Sequence, residues 1–311
     1  MPTGPPADLP DLPVVVAIPA LRTALADAGR AILVAPPGAG KTTVVPLALL
    51  DEAWLGGQRI VMLEPRRLAT RAAARRMAST TRTSVGGLVG YQTRDERHIG
   101  AATRIEVVTE GVLTRRLQND PELPGVGAVI FDEVHERNLT TDLGLALALD
   151  VASTIRPDLR ILAMSATPDV EGLTRLLDAP VVESAGRMFD VEMHWMPAAP
   201  PTKGRRGPRR QERIEPAVVT AVQRALREQA GDILVFLPGI GEIRRTQSQL
   251  ADVVPAGVDV HALAGALSSA EQDQALAPSP PGRRRVVLST DIAETSLTVD
   301  GVRVVVDSGL A

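Results

Sequence analysis

The stretch Ala31-Ile-Leu-Val-Ala35-Pro-Pro-Gly38-Ala39-Gly40-Lys41-Thr42-Thr43 decides how the rest of the chain is read. Its apolar start, Ala31–Ala35, predicts a strand, and Thr42–Leu50 has a helical pattern. A glycine-rich turn between a strand and a helix directs backbone N–H groups toward phosphate oxygens at the helix N-terminus. In such a P-loop Lys41 reaches the β- and γ-phosphates of a nucleotide and the Thr42 hydroxyl holds Mg²⁺. Gly38, Ala39, Gly40 and Thr43 complete the phosphate cradle, and the first position of the pattern, commonly glycine, is Ala35. The lysine stands out because this chain avoids lysine: of 34 basic residues only Lys41 and Lys203 are lysines.

Outward from the loop, short apolar runs alternate with helical patterns. The predicted strands are Ile60–Glu64, Leu88–Tyr91, Ile105–Thr109, Ala128–Phe131 and Ile161–Ser165, with helices near Arg67–Ala78, Gly111–Gln118 and Leu139–Thr154. After a Pro/Gly/Arg-rich stretch, 197–213, the alternation resumes. Helices are predicted near Glu215–Gln229, Gly241–Ala251 and Ser268–Leu276, and strands over Ile233–Leu237, Val258–Ala262, Arg285–Leu288 and Val302–Asp307. Alternating β and α elements predict mainly parallel sheets, and continuously apolar strands predict burial on both faces. The domains expected are a flexible tail over 1–13, a first domain over 14–196, a linker over 197–213 and a second domain over 214–311. The linker's basic run, Lys203–Arg213, reads as a solvated connection or as an auxiliary nucleic-acid contact.

The 311 residues suit two domains at about 150 residues each. No cysteine is present, which excludes a disulfide scaffold, a thiol nucleophile and a Cys-ligated metal. The four histidines, His98, His135, His194 and His261, lack metal-ligand spacing. A net charge of −3 excludes binding of nucleic acid by bulk charge, and 2% aromatics excludes a base-stacking platform. No apolar stretch reaches the roughly 18 residues of a membrane span, and the start lacks the pattern of a secretory leader. The expectation is a soluble, cytoplasmic, monomeric protein.

Ala128-Val-Ile-Phe-Asp132-Glu133-Val-His135 ends an apolar strand in paired carboxylates. This is the form of a Walker B element, in which Asp132 holds Mg²⁺ and Glu133 polarises the attacking water. Further strand ends carry Glu64-Pro-Arg66-Arg67, Thr109-Glu110-Gly111, Ser165-Ala166-Thr167, Phe236-Leu-Pro-Gly239 and Ser289-Thr290-Asp291-Ile-Ala-Glu294-Thr295-Ser296-Leu-Thr298.

In this order these motifs resemble those of superfamily 2 helicases of the DEAH/RHA group, most of all its bacterial HrpB subfamily, over Leu12 to Ala311. The resemblance implies two RecA-like (P-loop NTPase) domains with ATP in the cleft between them, and an ATP-dependent helicase acting on nucleic acid, with RNA favoured and the choice between RNA and DNA left open by the sequence. It implies that Gly38, Gly40, Lys41, Thr42, Asp132 and Glu133 bind and hydrolyse Mg·ATP. His135, Ser165 and Thr167 would couple that site to the nucleic-acid track. Arg76 matches the arginine that stacks on the base, Leu276 replaces a phenylalanine that faces it, and Thr298 and Asp300 match ribose-facing positions. Arg66, Arg67, Thr109, Gly239 and Thr290 match positions along the nucleic-acid backbone. Departures are DEVH for DEAH and Asp291 for an asparagine. The string QRxGRxGR, whose arginines reach the γ-phosphate in that group, does not occur. The second domain is accordingly expected to be truncated, with an open sheet edge and weak turnover. A translocase or remodeller without strand separation, or a nucleotide-binding module without turnover, are the alternative readings.

Overall fold

Strand residues that alternate between two apolar faces need a helical layer on each side, and this dictates the first half of the molecule. The computed structural model describes residues 9–186, 190–196, 214–294 and 299–310. The chain divides into two compact units, Met1–Phe189 and Asp190–Ala311.

In the first unit a 3₁₀ turn, Pro13–Ala17, leads through α1 (Ile18–Ala28), β1 (Arg30–Val34), α2 (Lys41–Ala48), β2 (Arg59–Leu63) and α3 (Arg67–Thr80). There follow β3 (Val89–Gln92), β4 (Arg97–His98), β5 (Ile105–Val108), α4 (Glu110–Asn119), β6 (Val126–Phe131), α5 (Leu139–Thr154), β7 (Arg160–Ser165), α6 (Glu171–Leu177) and β8 (Val181–Glu183). The sheet order is β4-β3-β5-β2-β6-β7-β1-β8. All neighbours are parallel except β4, which runs antiparallel to β3. Leu33, Ile60, Met62 and Val107 face a core shared with α1, α2 and α3. Ile32, Val61, Leu63, Val108 and Phe131 face the opposite core, beneath α4 and α5. Each such fully buried side chain contributes about 1.5–3 kcal/mol.

The second unit runs α7 (Glu215–Glu228), β9 (Asp232–Phe236), α8 (Ile240–Ala251), β10 (Val258–Leu263), α9 (Ser269–Leu276), β11 (Arg284–Ser289) and β12 (Val302–Asp307). Its parallel sheet has the order β10-β11-β9-β12 among the described residues. Ser268 starts α9 with a capping box: its hydroxyl accepts from the Glu271 N–H while the Glu271 carboxylate accepts from the Ser268 N–H.

Four elements lie outside the sequence expectation: α1, α6, β4 and β8. Leu9 and Leu12, read as part of a flexible tail, instead pack half-buried on the first core. Leu12 sits against the P-loop, where a Cβ on Gly40 would meet its Cδ1 at 2.7 Å, and Val14 N–H donates to the Ala39 carbonyl at 3.0 Å. In the second unit, where an open sheet edge is expected, β12 lies at the edge of the sheet. This edge strand alternates, with Arg303, Val305 and Asp307 exposed, because nothing among the described residues covers that face. The linker 197–213, its basic run, residues 1–8 of the tail and Thr298 lie outside the described residues.

Candidate active site

Strand register gathers the motifs. Leu63 pairs with both Val108 and Phe131, and Val34 pairs with Ser165, so the residues just beyond these strands share one sheet edge. Across that edge, in the order β5, β2, β6, β7, β1, stand Thr109, Arg66, Asp132 with Glu133, Ser165 and the P-loop. In parallel α/β sheets, ligands bind outside the carboxyl ends of the strands.

The loop residues Gly38 (φ +76°) and Gly40 (φ +95°) take left-handed conformations that favour glycine, which lets the backbone turn tightly into α2. Lys41 is 4% exposed, and its Nζ lies 3.3 Å from Glu133 Oε1. Thr42 Oγ1 donates to Asp132 Oδ2 at 2.6 Å. Asp132 is fully buried, and burial followed by the charge of Glu133 pushes its carboxyl up to about 6. A buried carboxylate short of positive charge, beside a hydroxyl, is a hard-oxygen donor set that fits Mg²⁺. That ion typically takes one or two carboxylates and completes its shell with phosphates and water. Among the described residues no group of three His, Asp or Glu side chains is placed to hold a metal by itself.

Glu133 adopts φ +53°, a conformation non-glycine residues rarely adopt, and its N–H donates to Asp132 Oδ1 at 2.9 Å. The turn aims its carboxylate back between Lys41 and His135, where Oε2 lies 3.3 Å from His135 Nδ1. The Ala166 N–H donates to the same Nδ1 at 3.2 Å. His135 thereby joins the end of β6 to Ser165–Thr167, where the Thr167 N–H donates to Ser165 Oγ at 3.1 Å and that hydroxyl donates to the Thr167 carbonyl at 2.9 Å.

The track residues are engaged with acids. Arg66 Nη2 donates to Glu136 Oε1 at 3.4 Å, and Arg67 pairs with Asp95 at the exposed β3–β4 turn. Thr109 is the N-cap of α4 and Arg76 is exposed on α3.

A family model for the DEAD/DEAH box helicase matches residues 17–176, and one for the helicase conserved C-terminal domain matches 217–311. The chain belongs to the DEAD/DEAH box helicase family. It is 49% identical to the ATP-dependent RNA helicase HrpB of Escherichia coli strain K12 over 95% of this chain and 35% of that protein. It is 38% identical to the probable ATP-dependent RNA helicase DHX34 of Homo sapiens, over 88% of this chain and 24% of that one. The crystal structure of E. coli DEAH/RHA helicase HrpB superimposes with a TM-score of 0.82 over 96% of this chain and 37% of that chain. The two units are RecA-like domains, and the chain spans about a third of the length of HrpB.

Within this DEAD/DEAH box chain the second unit splits its matched residues between two edges. Gly239, the N-cap of α8, and Thr290, just beyond β11, stand at the carboxyl ends of strands. Leu276 closes α9 and Asp300 precedes β12, so both lie toward the opposite edge.

Sequence reasoning left Glu64 without a role. Its carboxylate is wholly buried and neither oxygen completes a hydrogen bond. Burial, then Asp132 and Glu133, raise its pKa well above 4.5, and the Arg66 backbone N–H offsets this only in part. The one signal in the sequence was an acid directly after an apolar strand. Glu136 and Asp95 were missed as well, because only the folded sheet edge brings them to Arg66 and Arg67.

Proposed function

We propose that this chain is the ATP-hydrolysing helicase core of a DEAH-type RNA helicase, binding Mg·ATP in the first unit and gripping the nucleic-acid backbone. The observation that carries this reading is the set Lys41–Glu133 and Thr42–Asp132 beside a glycine-built P-loop. Thr42 and Asp132 would hold Mg²⁺, which when bound neutralises charge on the phosphates. Lys41 would bind the β- and γ-phosphates, and its present partner Glu133 would then be free to take a proton from a water aligned with the γ-phosphate. His135 touches both Glu133 and the Ala166 amide, so a movement at the water-facing acid is felt at Ser165–Thr167. Arg66, Arg67, Thr109, Gly239 and Thr290 lie at carboxyl ends of strands, where sequence-independent phosphate contacts belong. The relatives that carry RNA helicase in their names favour RNA over DNA as the partner. No helix among the described residues is long and apolar enough to cross a membrane.

The test is nucleotide binding and turnover, with and without RNA, in Lys41→Ala and Glu133→Gln. Lys41→Ala should abolish binding of Mg·ATP. Glu133→Gln should keep binding and lose about 10²–10⁴-fold in turnover, the usual contribution of a general base. Unchanged affinity in Lys41→Ala would overturn the assignment.

A further inference from the structure

Arg285, in β11, is the largest side chain that is fully buried among the described residues. Its Nε donates to Asp232 Oδ2 at 2.9 Å, and its backbone N–H donates to Asp232 Oδ1 at 3.0 Å. The Ser279 hydroxyl also donates to Asp232, lying 3.0 Å from Oδ2 and 3.2 Å from Oδ1. The other arms of the guanidinium leave this carboxylate. Nη1 donates to the carbonyl of Ala275 at 3.0 Å and to that of Ala277, and Nη2 donates to the carbonyl of Asp300.

These acceptors share one property. Ala275 and Ala277 flank Leu276, and Asp300 is the other described residue of the second unit that matches a nucleotide-facing position. Leu276 is half-buried and Asp300 exposed. Arg285 therefore fixes both backbones from beneath and leaves both side chains at the surface. An apolar residue of similar volume would fill the same core without a buried charge to desolvate. Only a planar fork with donors in fixed directions ties a strand end, a helix end and a loop to one point.

We propose that Arg285 is a positioning residue for nucleotide recognition: it sets the spacing between Leu276 and Asp300, and so the grip on the base and ribose. The inference rests on the reading that these two residues face the nucleoside. Lysine keeps the charge but lacks the fork, so Arg285→Lys should release one or both segments while Asp232 stays paired.

The experiment is isothermal titration of the whole chain with Mg·ATP and with magnesium tripolyphosphate, which carries the phosphates without base or ribose. R285K should weaken ATP about five- to tenfold, leave tripolyphosphate within about twofold, and keep the amide-exchange protection of β9, which unfolding of the second unit would remove. L276A and D300A are the controls for the underlying reading and should weaken ATP in the same selective way. If they do and a folded R285K does not, the positioning role is overturned while the reading stands. If neither control weakens ATP, the reading falls and the proposal with it. Loss of β9 protection in R285K together with the weaker ATP binding overturns the proposal in favour of a purely structural role. Should R285K fail to fold, R285Q replaces it, its side-chain amide still able to donate to Asp232 with no buried cation left, and is judged by the same split and the same protection.

Discussion

At the carboxyl edge of the first sheet, Glu64, Asp132 and Glu133 lie buried together, and Lys41 pairs with only one of them. At the other edge of the second sheet, Asp232 is equally buried but meets Arg285, Ser279 and a backbone N–H, so both of its oxygens are satisfied. The two sites share an ingredient, a carboxylate out of water, and differ in its completion. Asp232 is closed by the chain itself, through a guanidinium, a hydroxyl and a backbone N–H. The acids of the first unit are short of positive charge, so that site gains when cations and donors arrive from outside. A buried acid left incomplete marks the place where the protein waits for a ligand, and a buried acid completed internally marks a brace.

Removing the brace should have the largest effect. Asp232→Ala leaves the Arg285 cation buried and unopposed and should destabilise the second unit by about 3–5 kcal/mol, with the first unit unchanged. Amide hydrogen exchange separates the two, and equal loss of protection in β1 and β9 would break the contrast.

Glu64→Gln should act in the opposite direction. It keeps the shape and removes a buried acid whose ionisation is opposed by burial and by Asp132 and Glu133, stabilising the nucleotide-free first unit by about 1–3 kcal/mol at pH 8. Its pH dependence has a definite sign. Glu64 and Asp132 bind a proton more tightly folded than unfolded, so wild-type stability is fully present below their ordinary values. It falls as pH rises from 3.8, for Asp132, through about 6. The gain from Glu64→Gln should therefore shrink toward zero at about pH 4.5 and below. Thermal midpoints at pH 4.5 and pH 8 check this; a gain that does not depend on pH would show that Glu64 holds its proton no more tightly in the fold than in the unfolded chain.

The smallest effect concerns Asp95. Its bridge to Arg67 is exposed on both sides, so it contributes no more than about 1 kcal/mol. Asp95→Asn should free Arg67 and tighten RNA about two- to fivefold at low salt, and the gain should fade as salt screens the pair. RNA titrations at two ionic strengths read this directly. Weaker binding would show that Asp95 holds Arg67 in its working position.

Much of this architecture was legible in the sequence, for local reasons. Runs such as Val129-Ile-Phe131 are continuously apolar and bounded by turn residues, so their strands were placed to within a few residues. Helix α5 was read with the bounds it has, since Asn138 caps it and accepts from the Thr140 N–H. The P-loop and the Asp132–Glu133 pair were legible because their chemistry is contiguous. Helix α1 was not read: it follows a 3₁₀ segment, Pro13–Ala17, whose run Val14-Val15-Val16 carries no helical period. Strand β8 spans only Val181–Glu183 and owes its existence to the edge of β1. The pairings of Arg66 with Glu136 and of Arg285 with Asp232 join residues 70 and 53 positions apart, beyond the reach of any local pattern.

The seat of Leu12 on Gly40 makes the start of the chain a natural place to listen to the phosphate loop. The protein has no cysteine, so a thiol introduced at the exposed Asp11 would be its only one and would take a spectroscopic label without competition. That label would sit one residue from the side chain lodged against the loop and need touch no residue matched to nucleotide or nucleic acid. Occupancy of the loop thus becomes an optical signal carried by the chain's own beginning.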